Sequence, residues 1–135
     1  MNSPDDDSPP VYYLTVNDLF LINETVTGEL PYVRERHSLH YAVRRPTLWL
    51  FGQEQFPTII DKAAALMDSL AHHHLFVDGN KRTALRAVTL FLEKNRWQPA
   101  WEHQAACEFV LAVAQGTQTL ADIADWLHRH TRPAP

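Results

Sequence analysis

Apolar residues recur at spacings of three and four along almost all of this chain, which is the repeat of one face of an α-helix. Thr15 is positioned to cap a first helix whose inward face is Val16, Leu19, Phe20, Asn23 and Val26. A short helix is expected to follow Ser38 and to stop before Pro46, because a proline disfavours helical backbone in the residue preceding it. Thr58 caps the next, with Ile59, Ala63, Leu66, Met67 and Leu70 on one side, and its expected end is near His74. A helix opening near Asn80 carries Ala84, Leu85, Val88, Phe91 and Leu92 and should end near Asn95. Two more are expected, from Glu102 to Ala114 and from Thr119 through Leu127, separated by Gly116. Residues 45–56, "RPTLWLFGQEQF", hold the one β-like stretch, an extended flap or short hairpin. The fold class is therefore all-α, and every apolar stripe is read as core.

At 135 residues the chain is long enough for one core and too short for two. The expected divisions are a disordered acidic, proline-rich tail over residues 1–11, a domain over 12–130 and a C-terminal tail over 131–135. The tail lacks the basic start and apolar run of a secretory signal, and no apolar stretch approaches a membrane span. One cysteine, Cys107, excludes an internal disulfide and fits a reducing cytoplasm, the expected location. The net charge of −4 argues against general nucleic-acid binding, although Lys81, Arg82 and Arg86 would make a local basic patch.

Chemistry-bearing residues concentrate in "HHHLFVDGNKRTAL", residues 72–85. Three consecutive histidines on a helix point about 100° apart, so they cannot converge on one metal ion. A phosphate site is the stronger reading. The turn delivers Gly79, Asn80, Lys81 and Arg82 into the opening of a helix, where backbone N–H groups lack partners and the dipole is positive. Two adjacent bases are unfavourable there unless something negative faces them. Asp78 could hold a Mg²⁺ that bridges phosphates, and His74 could take a proton from an attacking hydroxyl. A structural account exists for each residue singly: Asp78 could cap the helix, and a Lys–Arg pair is commonly solvated. A P-loop is not supported, since its first glycine is missing and no preceding strand is read.

"HLFVDGNKRTAL", residues 74–85, resembles the signature of the Fic/Doc superfamily, His-x-Phe-x-(Asp/Glu)-(Gly/Ala)-Asn-(Gly/Lys)-Arg. The likeness extends to "LTVNDLFLINE", "VRERHSLHYAVRRP", "FPTIIDKAAALMDSLA", "TLFLEKNRW" and "LADIADWL", so it covers about residues 12–130 and is similar to death-on-curing (Doc) toxins. The resemblance implies a Fic/Doc helical fold with the active loop between two central helices. It implies ATP as cofactor with Mg²⁺ held by Asp78, His74 as base, and Phe76 as the loop's anchor. Asn80, Lys81 and Arg82, with the backbone at Gly79, would hold phosphates.

Family members that transfer adenylyl groups have glycine at the place of Lys81 and a second arginine where Leu85 stands; Arg86 is one residue late and is expected to face elsewhere. Doc-type toxins share the lysine, which implies ATP bound with its γ-phosphate toward the target hydroxyl. The implied activity is phosphorylation of a Thr or Ser in a translation factor, with elongation factor Tu the precedent. Adenylyl transfer and an inactive binding module remain the alternatives. Asn23 stands where a histidine is common, and "TGELP" shortens a glycine-rich turn. "LHYAVRRP" lacks an acidic residue often found near its start, and the flap at 46–57 is expected to contact the target. No inhibitory (Ser/Thr)-x-x-x-Glu-(Gly/Asn) motif is present, so restraint is expected from a separate antitoxin chain.

Overall fold

The computed structural model describes residues 9–135; the acidic run Asp5–Asp7 of the expected tail lies outside the described residues. The described chain is mostly helical, as the periodicity requires. Helix α1 spans Val16–Thr27, α2 Arg36–Arg44, α3 Ile59–His72, α4 Asn80–Lys94, α5 His103–Ala114 and α6 Leu120–Arg129. The polar residues that open these helices do so for a physical reason. Thr15 accepts a hydrogen bond from the Asp18 N–H (3.1 Å) while the Asp18 carboxylate accepts from the Thr15 N–H (2.8 Å), a reciprocal capping box. Thr119 and Asp122 repeat it at α6, and those bonds hold the Asp122 carboxyl below the ordinary aspartate range. Thr58 caps α3 through the Asp61 N–H at 3.0 Å.

Helix α3 is the axis of the molecule. Ten of its fourteen residues are buried, and α2, α4, α5 and α6 all pack on it. Ala63, Ala64, Ala65 and Ala71 keep its surface thin enough for neighbours on several sides, while Leu66, Met67 and Leu70 fill the space between them. Each of those three large side chains stabilises the fold by roughly 1.5–3 kcal/mol through burial. Across the C-terminal half, the Trp126 ring stacks between Phe109 (4.5 Å) and His130 (4.3 Å), joining α6 to α5.

Several boundaries differ from the sequence expectation. Helix α2 begins at Arg36, so Ser38 lies inside it, and Glu35 at its start makes no side-chain cap. It ends ahead of Pro46 as expected, the proline entering a 3-10 turn over Arg45–Thr47. Helix α3 stops at His72, two residues early, because the chain beyond it turns extended to pair with residues 32–35. The expected flap is a hairpin of β1, Trp49–Leu50, and β2, Gln53–Glu54. Its two-residue turn places Phe51 and Gly52 both at positive φ, 51° and 76°, and Phe51 is fully exposed. A second antiparallel pair, which the pattern of the sequence did not reveal, joins β3, Trp97–Pro99, to β4, Thr131–Pro133. The residues read as a C-terminal tail thus supply a strand. Proline in both partners restricts the pairing to a two-stranded ribbon, since neither proline can donate to a ladder.

The base of the flap is fastened to α3 by Lys62. This side chain is 2% exposed, and its ammonium donates to the Phe56 carbonyl and lies 3.7 Å from the Glu54 carboxylate. Burial pulls the Lys62 pKa below the ordinary lysine value, and Glu54 opposes that shift.

Candidate active site

Between α3 and α4 the chain crosses in seven residues, 73–79, and their conformation is fixed from three directions. Leu75 and Phe76 are buried, and the Phe76 ring meets the edge of Phe20 on α1 at 6.3 Å. The segment ahead of α2 pairs with this stretch: the Leu75 carbonyl accepts from the N–H groups of Arg34 (2.8 Å) and Glu35 (3.2 Å), and the Val77 N–H donates to the Tyr32 carbonyl (3.0 Å). The Asn80 amide closes the loop on itself, accepting from the Phe76 N–H (2.9 Å) and donating to the Phe76 carbonyl (2.8 Å). Pinned in this way, the loop leaves His74 and Asp78 exposed on its surface.

Asn23 supplies the third restraint. It is 2% exposed on α1, and its amide donates to the Asp78 carbonyl (2.9 Å) and the Thr83 hydroxyl (3.1 Å), spanning both sides of the turn. An unpaired amide there would cost about 1–3 kcal/mol, so these bonds fix α1 against the loop. Gly79 lies beneath it in the left-handed region, φ 76°. A Cβ at Gly79 would sit 2.6 Å from Thr27 Cγ2, so glycine is required both by the turn and by the approach of α1.

The opening of α4 carries no side-chain cap, and its first internal bond runs from the Thr83 N–H to the Gly79 carbonyl at 2.8 Å. The helix itself therefore offers no partner for the N–H groups of Asn80, Lys81 and Arg82. Lys81 and Arg82 lie along an open cleft of about 790 Å³ bordered by α1, α4 and α5, with Val26, Leu85, Trp101 and Val110 on its apolar walls. The Arg82 guanidinium donates to the Val26 carbonyl near the end of α1, which fixes its position on the cavity wall.

Of the residues singled out by sequence, Lys81 and Arg82 share the cavity, Gly79 and Asn80 shape the backbone that opens it, and His74 and Asp78 lie on the exposed turn just before it. Because the Asn80 amide is held by Phe76, a phosphate at that position would meet its backbone N–H. Arg86, expected to face away, lines the same cavity. Four residues carry a helix through about 400°, which leaves Arg86 only about 40° from Arg82, on the same face. Asn23 was legible as the polar member of an apolar stripe, but its partners were not.

Among the described residues no three of His, Cys, Asp and Glu gather as a metal site. The histidine run does not converge: His72 ends α3, His73 is extended, and their rings stack at 5.7 Å. Asp78 accepts the Gly79 N–H through one carboxylate oxygen (2.7 Å), leaving the other for a cation. A single free carboxylate oxygen fits Mg²⁺ whose remaining ligands are phosphate oxygens and water.

Residues 13–92, which contain α1 through most of α4 and the whole turn, match the Fic/DOC family. The chain is 42% identical over 88 residues to a protein called Toxin Doc of Mycolicibacterium smegmatis, an alignment covering 65% of this chain and 68% of that one. It is 30% identical over 76 residues to Protein kinase doc of Escherichia phage P1, covering 56% and 60% respectively. The match spans more than half of the chain and includes every residue of the turn, and on that basis this chain belongs to the Fic/DOC family.

Proposed function

We propose that this chain is a Doc-type toxin that transfers the γ-phosphate of ATP to a Thr or Ser hydroxyl of a cytoplasmic translation factor, with elongation factor Tu the first candidate. A cognate antitoxin would restrain it. The observation that carries the reading is the cavity at the uncapped start of α4, walled by Lys81 and Arg82 and preceded by an exposed histidine and carboxylate. The names of the two relatives, a toxin and a protein kinase, support it.

Mg-ATP would supply the transferable phosphoryl group and its leaving group. What remains for the protein is placement and charge compensation, which dominate catalysis of phosphoryl transfer. The N–H groups of Asn80, Lys81 and Arg82 point along the helix axis toward the turn and would bind phosphate oxygens without reorganising. Lys81 and Arg82 would balance charge that gathers on those oxygens. Asp78 would hold the cation with its free carboxylate oxygen. His74, exposed beside the loop, would accept the proton of the target hydroxyl, a role generally worth about 10²–10⁴-fold in rate.

The test is label transfer from ATP carrying the isotope at either the γ or the α position, with elongation factor Tu as acceptor. Label from the γ position alone is expected, and it should fall at least about 10²-fold in His74→Ala. Label from the α position would instead establish adenylyl transfer. Growth inhibition unchanged in His74→Ala would favour a binding module over a catalyst.

A further inference from the structure

Residues 45–56 leave the body of the domain, form the β1–β2 hairpin and return, and a cation fastens each end of this excursion to α3. At the outgoing end, the Arg45 guanidinium donates to the Asp68 carboxylate (2.8 Å) and the Ser69 hydroxyl (3.1 Å), both on α3. The same guanidinium lies over the Phe56 ring, 5.5 Å from its centroid. At the returning end, the buried Lys62 ammonium donates to the Phe56 carbonyl and faces the carboxylate of Glu54, the β2 residue paired with Trp49 of β1. Phe56 is thus held twice, by its ring and by its carbonyl. Beyond this clamp Trp49, Leu50 and Phe51 are exposed. Stability alone does not account for a buried lysine here. Desolvating an ammonium costs several kcal/mol, and an apolar side chain of similar volume is often as stabilising or more so. What the charged anchor supplies is direction: an ammonium meets one carbonyl and one carboxylate, whereas an apolar side chain accepts many positions of the hairpin.

We infer that Lys62 and Arg45 are positioning residues that hold the flap at a fixed place relative to His74, and thereby set the affinity for the protein acceptor. The inference rests on the proposed transfer to a protein hydroxyl and on the flap's expected contact with the target; it adds two residues outside the catalytic turn. Helix α3 is the common reference. Asp68 and Ser69 lie about one turn before its end, which leads directly into the turn that carries His74. Flap and imidazole are therefore mounted on one helix, and an acceptor touching both meets them at a set separation. Neither Lys62 nor Arg45 lines the cleft of Lys81 and Arg82, so the clamp acts on the acceptor and not on the nucleotide.

An acceptor that meets a loosened flap must select its competent position, which weakens apparent affinity by the fraction of time the flap spends there. Lys62→Met and Arg45→Met should each raise the KM for elongation factor Tu about fivefold to tenfold, with kcat within about twofold of wild type. Arg45→Lys, which keeps a cation but loses the flat guanidinium over Phe56, should recover part of the loss. Calorimetric affinity for Mg²⁺ and a β,γ-imido analogue of ATP should match wild type in all three variants. Amide exchange over residues 48–55 should quicken while α4 exchanges as in wild type, and retained helical circular dichroism is the control for folding. If Lys62→Met unfolds the domain, Arg45→Met decides the question. An unchanged KM for the acceptor in the folded methionine variants would overturn the inference and leave the transfer reading intact, as would a loss confined to kcat or an equal loss of nucleotide affinity. Absence of label transfer by the wild type would overturn both.

Discussion

Gly79 shows how tightly a single position can be specified. Its φ of 76° is accessible to most residues only at a cost, and an added methyl would collide with Thr27 at 2.6 Å, so α1 and the turn exclude a side chain independently. Gly79→Ala is expected to destabilise the domain by about 1–3 kcal/mol and to lower transfer by shifting the N–H groups that follow. Urea denaturation measures this, and a midpoint equal to wild type would show that the turn relaxes freely. The glycine and its neighbours were legible in the sequence because the chemistry is local to a dozen residues. The partners of Asn23 were not, because its bonds reach 55 and 60 residues along the chain. The place of Arg86 follows from helical geometry, which puts residues 82 and 86 on one face, and not from its offset by one residue from the family's second arginine.

At the scale of elements, caps and apolar repeats gave the helices their number and order, while their ends were set by tertiary contacts. Helix α3 stops where Leu75 and Phe76 are drawn into pairing with residues 32–35, a contact without a local signal. The β3–β4 ribbon is likewise invisible to any window of sequence, since its strands lie more than 30 residues apart. The flap was visible as a β-like run, but its anchor was not. A lysine within an apolar stripe reads as a surface residue, yet Lys62 is buried and holds Phe56 and Glu54.

That burial has a consequence with pH. With its folded pKa depressed, Lys62 binds a proton less tightly in the native state than in the unfolded chain. Below the lowered value it is charged in both states and its desolvation opposes folding in full. Between the lowered and the ordinary value the unfolded chain holds more protons, so its contribution to stability rises with pH. Tyr13, whose hydroxyl pKa is raised by burial and then by Glu54, works in the opposite sense above its ordinary value. The difference between wild type and Lys62→Met isolates the lysine. Folding free energies from pH 7 to 11 should show the wild type gaining relative to the variant, with faster amide exchange in the variant's flap; parallel curves would contradict this.

Across the whole molecule, the helices that build the core also position the site. Helix α3 delivers the turn, α1 clamps it through Asn23 and receives Arg82, α4 supplies the N–H groups, and α5 closes the cavity. Because these contacts are made within the protein, binding should demand little rearrangement, and its effect should be confined to the opening of α4. The measurement that bears most directly on this is hydrogen–deuterium exchange of the full chain with and without Mg²⁺ and a non-hydrolysable ATP analogue. Exchange should slow over residues 79–86 and remain unchanged in α6 on the far side of α3. Protection confined to other segments, or none at all, would contradict a nucleotide held at the start of α4.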